Sequence, residues 1–176
     1  MKNSSRRGFM GKAFGAVAGI GAVASLFAMK KSWDPLPSVK AAGFTTLDMT
    51  NYKENVMITE KWRGKPIFVL KKSAEVMAKE KGNPEAEARN IQVNGDNFMV
   101  AIGLCTHLGC IPAFREDEGN FLCACHGGMF DASGLAIKVP PPRGFDIPPF
   151  KIEGNKLVLG EAGPEWQAMK DNGVTL

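Results

Sequence analysis

Two short stretches decide how this chain is interpreted: Cys105-Thr106-His107-Leu108-Gly109-Cys110 and Cys123-Ala124-Cys125-His126-Gly127-Gly128. Fifteen residues separate His107 from Cys123. The two stretches contain all four cysteines and both histidines of the 176-residue chain. Because cysteine and histidine are so scarce elsewhere, this concentration indicates one local site that uses them together.

The residue types in these stretches predict a metal site. Thiolates bind iron–sulfur clusters or zinc, and imidazole binds zinc, copper or iron. Two Cys and two His could complete a tetrahedral zinc site. Such a site leaves two cysteines without a role, and the spacing differs from that of zinc fingers. A framework of disulfides alone leaves both histidines without a role. Zinc and iron–sulfur chemistry both remain open at this point.

The charge distribution separates the N-terminus from the rest. The first 31 residues contain six basic residues and no acidic one, whereas the remainder has 16 basic and 18 acidic residues. The globular part therefore has no basic excess, and nucleic-acid binding is not expected. A hydrophobic content of 44% with 23% charged residues is typical of a globular protein.

An export signal and a membrane anchor are expected at the N-terminus. The segment Ser5-Arg6-Arg7-Gly8-Phe9 precedes an uncharged run over 13–29. As a helix this run would be roughly 25 Å long, near the lower limit for crossing a bilayer. Consecutive arginines before a Gly/Ala-rich segment resemble a twin-arginine export signal. A secretory signal cleaved at Ala22-Val23-Ala24 is the alternative.

We expect that the N-terminal helix is not cleaved and remains in the mature protein as a membrane anchor. The predicted order is a twin-arginine signal region over 1–12, a transmembrane anchor over 13–31 and a linker over 32–43. Pro35 and Pro37 are expected to exclude regular helix from the linker.

The globular part, residues 44–160, is predicted to be mostly β-strand. The turn signals Asn94-Gly95 and Gly154-Asn155 indicate hairpins. One helix is predicted over Ser73–Lys81, with Ser73 as its N-cap. Short strands with frequent turns favour a sandwich or small barrel. Residues 161–176 form a tail without assignable chemistry. The predicted strands are Phe44–Thr50, Val56–Lys61, Pro66–Lys71, Phe98–Leu104, Leu135–Val139, Phe150–Ile152 and Lys156–Leu159.

The pattern Cys-x-His-x-Gly-Cys followed by Cys-x-Cys-His-Gly resembles the Rieske iron–sulfur proteins. The resemblance implies an antiparallel β-sandwich with a small cluster-binding subdomain, whose loops lie within 104–143. It also implies one [2Fe–2S] cluster, with Cys105 and Cys123 on one iron and His107 and His126 on the other. By the same resemblance, Cys110 and Cys125 form a disulfide that bridges the two loops. The run Pro140-Pro141-Pro142-Arg143-Gly144 resembles the family's proline loop over the cluster.

With its anchor included, the chain resembles the iron–sulfur subunit of bacterial quinol–cytochrome c reductase. That resemblance implies a single-pass protein of the inner membrane with its globular domain on the periplasmic side. The implied partners are quinol, cytochrome b and a c-type cytochrome, and His126 would contact the quinol. The alternatives are the Rieske small subunit of a periplasmic oxidase such as arsenite oxidase, a soluble Rieske ferredoxin, and a zinc-stapled binding module.

Two positions depart from the family pattern. Many Rieske proteins have a serine and a tyrosine where this chain has Gly128 and Phe130. Their hydroxyls donate hydrogen bonds that stabilise the reduced cluster. The sequence therefore predicts a centre of low potential, suited to a low-potential donor such as menaquinol.

Overall fold

The computed structural model describes residues 5–174 and divides into two compact units, one up to Ala41 and one from Ala42 onward. The first four residues of the predicted signal region and the last two of the predicted tail lie outside the described residues.

The N-terminal unit contains two helices. Helix α1 spans Arg6–Trp33, and the Ser5 hydroxyl caps it by accepting a hydrogen bond from the Gly8 amide at 3.2 Å. At 28 residues α1 is about 42 Å long, and it is long and apolar enough to cross a membrane. It therefore begins within the predicted signal region.

The expectation that prolines keep the linker free of helix is wrong for part of it. A short helix, α2, spans Pro37–Ala41. Proline is tolerated in the first helical turn, where its missing amide proton would have no intrahelical partner. Between α1 and α2 the chain leaves the helical conformation for three residues, 34–36.

The second unit consists mainly of short antiparallel strands. Three helices accompany them: α3 (Ala74–Glu80), α4 (Pro84–Ala88) and α5 (Pro164–Asp171). In the described part of the chain the strands are β1 (Thr45–Asp48), β2 (Met57–Trp62), β3 (Lys65–Lys71), β4 (Ile91–Val93), β5 (Asp96–Ile102), β6 (Ala113–Arg115), β7 (Asn120–Cys123), β8 (Gly128–Asp131), β9 (Ala136–Lys138), β10 (Phe150–Glu153) and β11 (Lys156–Leu159).

The strands form three sheets. Their orders are β1-β11-β10, β2-β3-β5-β4 and β6-β7-β8-β9, and every pair of neighbouring strands is antiparallel. We call them the first, middle and third sheets. The third sheet is the small subdomain that contains both Cys/His stretches at its loops. The predicted β-sandwich with a cluster-binding subdomain is confirmed.

The middle sheet is buried on both faces. Successive residues of a strand point to opposite sides of the sheet, and in this sheet each side faces a different core. In β3, Ile67 and Val69 belong to a first core shared with Phe150 and Leu157 of the first sheet. The alternate residues of β3 and β5 belong to a second core, shared with the third sheet. The middle-sheet members of this second core are Phe68, Leu70, Met99 and Ala101.

The second core is aromatic. The rings of Phe68 and Phe121 stack with centroids 5.4 Å apart, and Phe121 also meets Phe145 edge-on at 5.3 Å. Phe130 stacks on Phe145 at 3.9 Å. These contacts join the middle sheet to β7, β8 and the segment that follows the proline loop.

Each strand predicted from sequence corresponds to an observed strand, and both predicted hairpins are confirmed. Asn94 and Gly95 have φ values of 53° and 85° between β4 and β5, the left-handed conformation that a two-residue turn requires. Gly154-Asn155 joins β10 to β11. Strands β4, β6, β7 and β8 were not predicted, although β1, β9, β10 and β11 are equally short and were.

The predicted tail is part of the domain. Helix α5 packs on β10, and Met169 is buried in the first core. The Val174 amide donates to the Met169 carbonyl at 3.0 Å, which ends the helix. The fold therefore extends beyond residue 160.

A clamp fixes the start of the second unit. The Trp62 indole nitrogen and Arg63 Nε both donate to the Gly43 carbonyl, at 2.9 and 3.1 Å. The Arg63 guanidinium also lies over the Trp62 ring, 4.7 Å from its centroid. The β2–β3 turn thus holds the backbone directly before β1.

We expect Trp62→Phe to lower the free energy of unfolding by about 1 kcal/mol, because it removes one donor to Gly43 while keeping most of the ring's packing. Urea denaturation measures the change. Trp166→Phe is the matched control, since its indole donates to Ile147 only at 3.5 Å. Equal losses in the two variants would contradict a specific contribution of the clamp.

Candidate metal centre

The first Cys/His loop follows β5. Gly103 leads into it, and a Cβ at this position would lie 2.5 Å from the Phe68 ring, so only glycine fits without displacing the second core. The loop is closed by two backbone hydrogen bonds, from the Cys105 amide to the Cys110 carbonyl at 2.7 Å and from the Gly109 amide to the Cys105 carbonyl at 2.8 Å. It presents Cys105 and His107 on a fixed backbone.

The second loop joins β7 to β8. Cys123 is the last residue of β7, and the Gly127 amide donates to its carbonyl at 2.9 Å. Gly127 has a φ of 73°, which allows the tight turn. His126 lies on this turn, directly before the strand that resumes at Gly128.

The two cysteines outside the disulfide are buried side by side. Cys105 is 4% exposed and Cys123 is 2% exposed, and both belong to the second core. Burial raises the pKa of the Cys105 thiol, the backbone amides of His107 and Leu108 oppose this shift, and the neighbouring Cys123 adds to it. Two adjacent buried thiols lose their protons most readily to a bound cation, which is the chemistry of a metal-thiolate site.

The two histidines are paired closer to solvent. The rings of His107 and His126 meet at 84° with centroids 4.7 Å apart. His126 is exposed and His107 is half-buried. The structure therefore brings all four predicted ligands to the two adjoining loops, with the sulfurs buried and the imidazoles toward the surface.

A disulfide links Cys110 to Cys125, the pairing that the family resemblance implies. The Cys123 sulfur lies within 4.8 Å of both disulfide sulfurs. Those three sulfurs are not a ligand set, because a disulfide offers no thiolate to a metal. The donor set that fits a [2Fe–2S] cluster is the two free cysteines with the two histidines.

The proline loop covers the second Cys/His loop. A Cβ on Gly128 would lie 2.5 Å from Pro141 Cδ, so the two backbones are in close contact. The Thr106 hydroxyl donates to the Arg143 carbonyl at 2.6 Å and ties the proline loop to the first Cys/His loop. Arg143 also forms an ion pair with Asp146. No local pattern in the sequence predicts the contact between Thr106 and Arg143.

The contact with Pro141 provides a packing reason for glycine at position 128. A serine there would have to displace the proline loop before its hydroxyl could donate a hydrogen bond. Phe130 is fully buried in the second core. Neither residue has a hydroxyl donor.

Two Cys/His loops, a disulfide between them and a proline loop above them define the class. A family model described as "Rieske [2Fe-2S] domain" matches residues 45–151. Its match includes both Cys/His loops and the proline loop.

Similarity to known proteins extends over most of the chain. The ubiquinol–cytochrome c reductase iron–sulfur subunit of Rickettsia conorii is 33% identical over 165 residues, covering 89% of this chain and 93% of that protein. The mitochondrial Rieske subunit of the cytochrome b-c1 complex of Schizosaccharomyces pombe is 32% identical and covers 83% of this chain and 67% of its own length. A chain of a solved structure described as "Hyperthermophilic respiratory Complex III" is 29% identical, with a TM-score of 0.60 over 84% of this chain and 98% of its own.

The chain belongs to the Rieske iron–sulfur subunits of quinol–cytochrome c reductase. Its cofactor is one [2Fe–2S] cluster, it transfers electrons as a subunit of an oxidoreductase complex, and its partners are other subunits of that complex. The predictions of family and cofactor are confirmed.

We expect the double variant Cys110→Ser, Cys125→Ser to unfold more easily by about 3 kcal/mol, the loss of loop-closure entropy for a 15-residue separation. Urea denaturation of the oxidised protein measures it. Mild reductant should produce a similar loss in the unmodified chain and none in the variant. A variant as stable as the oxidised parent would show that the bond does not stabilise the two loops.

Proposed function

We propose that this chain accepts an electron from a quinol, most suitably menaquinol, and passes it to a c-type cytochrome beside cytochrome b. The observation that carries the proposal is the pair of imidazoles, which meet at 4.7 Å on the solvent side of two buried cysteines. Cys105, His107, Cys123 and His126 would hold the cluster, which when bound takes up one electron at a time.

His126 is the residue we assign to quinol contact. Its ring is exposed, whereas His107 is half-buried. An imidazole at the surface can accept a hydrogen bond from a quinol hydroxyl and take its proton when the electron leaves. Apolar side chains on the first Cys/His loop and directly before the proline loop are also exposed: Leu108 is 72% and Val139 is 80% exposed. They would give the hydrophobic ring of a quinol an apolar contact surface.

The absence of two hydroxyls supports a low midpoint potential. Glycine at position 128 and phenylalanine at position 130 provide no donor that would stabilise the more negative, reduced state. If each missing hydrogen bond accounts for ~1–2 kcal/mol, each lowers the potential of a one-electron couple by roughly 40–90 mV. Menaquinol is a stronger reductant than ubiquinol and so suits such a centre.

A redox titration followed by the reduced-state EPR signal tests this proposal. We expect the midpoint to lie below that of relatives with both hydroxyls. Phe130→Tyr should raise it by roughly 40–90 mV if the new hydroxyl donates to the site. Phe114→Tyr is the matched control, because Phe114 lies on β6 and is only partly buried, so its hydroxyl can reach solvent.

A second experiment, on the membrane fraction, identifies the electron donor. Addition of menaquinol to the membrane fraction should produce the EPR signal, and cytochrome b should co-purify with the chain. A midpoint potential as high as that of relatives with serine and tyrosine at positions 128 and 130 would refute the assignment to menaquinol. Co-purification with a molybdenum subunit in place of cytochrome b would support the periplasmic-oxidase alternative.

We also propose that α1 crosses the bacterial inner membrane once and that the second unit is exported folded to the periplasmic side. The support is the Ser5-Arg6-Arg7-Gly8-Phe9 segment at the start of an apolar helix, together with a disulfide in the domain.

We expect Arg6→Lys combined with Arg7→Lys to retain the domain in the cytoplasm, because the twin-arginine pathway recognises the arginine pair. Protease added to spheroplasts should digest the domain of the parent and spare that of the variant. Lys30→Arg combined with Lys31→Arg preserves charge at the other end of the apolar run and serves as the control. Digestion of both domains would contradict a twin-arginine signal.

A further inference from the structure

The proline loop is held at several points along its length. Pro141 contacts Gly128, and the Arg143 carbonyl accepts from Thr106. The last contacts lie at Phe145, where the backbone leaves the loop and returns to the core. The Phe145 amide donates to the Gly134 carbonyl at 2.8 Å, and its ring stacks on Phe130.

Arg89 reaches this end of the loop from another part of the domain. It follows α4, 56 positions before Phe145 in the chain. One terminal nitrogen of its guanidinium donates to the Phe145 carbonyl at 2.5 Å. Nε of the same group donates to the Ser133 carbonyl at 2.9 Å. A single planar cation therefore joins the β8–β9 turn to the proline loop.

The surroundings of Arg89 are those of a built site. The residue is 2% exposed, and both carbonyls that it contacts belong to buried residues. Asp131 and Glu85 provide the negative charge that offsets the cost of burying the guanidinium. A Cβ on Gly144 would lie 2.6 Å from the Gly134 carbonyl oxygen and 3.5 Å from Arg89 Cζ, so the backbone fits closely around the cation.

We propose that Arg89 is a positioning residue for the metal centre: its guanidinium fixes the Phe145 end of the proline loop and thereby holds Pro141 against Gly128, beside His126. The geometry requires the fork of the guanidinium. Two carbonyls from different segments accept from two nitrogens whose separation and plane are fixed. A lysine ammonium keeps the charge but has no such fork.

Arg89→Lys in the full-length protein with its cluster bound tests the proposal. We expect the amides of residues 126–128, of Val139 and of residues 143–145 to exchange hydrogen at least about tenfold faster, because a charged hydrogen bond to the loop is lost. We expect iron to be released to a chelator faster by a similar factor. The first readout can be repeated on protein from which the cluster has been removed, so it does not depend on electron-transfer activity.

Val69→Ala is the matched control. Val69 is fully buried in the first core, on the face of the middle sheet that points away from the Cys/His loops. It lowers global stability without touching the proline loop. Faster exchange at 126–128 in Arg89→Lys and not in Val69→Ala supports positioning. Exchange and iron release at the parent's rate in Arg89→Lys, or an equal increase in both variants, overturns the proposal.

A second variant keeps the proposal testable if Arg89→Lys does not fold. Gly144→Ala leaves the guanidinium in place but forces the loop away from it. We expect the same acceleration at 126–128. In the unmodified chain, the amides of Phe145 and Gly128 should also share one opening free energy across a denaturant series. Independent opening of these two amides contradicts the proposal. If Arg89→Lys does not change hydrogen exchange in the proline loop, the proposal for Arg89 fails. The proposed ligand set and the proposed contact of His126 with quinol would be unaffected.

Discussion

Burial of the middle sheet on both faces is the constraint on which the rest of the structure depends. Alternate residues of β3 and β5 enter different cores, so the two strands read as nearly continuous apolar runs. Hydrophobic burial on this scale supplies most of the driving force for folding. The first core joins the first sheet to the middle sheet, and the second joins the middle sheet to the third sheet.

The metal centre is built on the second core. Cys105 and Cys123 are members of that core, so their sulfurs are fixed by the same aromatic packing that fixes Phe121 and Phe130. The histidines lie on the short loops above and contact solvent. The division between buried sulfur and exposed imidazole thus follows from where the loops leave the sheets. It leaves the imidazoles accessible from solvent, and it keeps water from the two buried sulfurs.

Much of the site could be predicted from sequence because its chemistry is local. Each Cys/His stretch spans six residues, and their residue types and spacing are specific enough to indicate the cofactor. The long strands and the Asn94-Gly95 turn were equally accessible, since β-prone runs and turn chemistry are local signals. Strands β6, β7 and β8 were not predicted, although the predicted strands β9, β10 and β11 are no longer. Nor could the contact of Arg89 with Phe145 be predicted, because no local pattern links positions 56 apart.

Proline and glycine show a second limit of prediction from sequence, because one residue can have two structural effects. Pro37 correctly signals a break after α1, yet it also begins a new helix, since its fixed φ suits the first helical turn. Glycine at position 128 likewise has two explanations that sequence alone cannot separate. It removes a hydroxyl donor, and it makes room for Pro141.

The position of the Cys123 sulfur has a consequence for assembly. It lies within 4.8 Å of both sulfurs of the Cys110–Cys125 bond. A free thiolate of Cys123 at that distance could attack a sulfur of the disulfide. The attack would exchange the native Cys110–Cys125 bond for a non-native one. If Cys123 binds iron, as we propose, the metal would draw charge from the thiolate and lower its nucleophilicity. A cluster held by Cys123 would in this way protect the native disulfide, provided that it is inserted before Cys110 and Cys125 are oxidised.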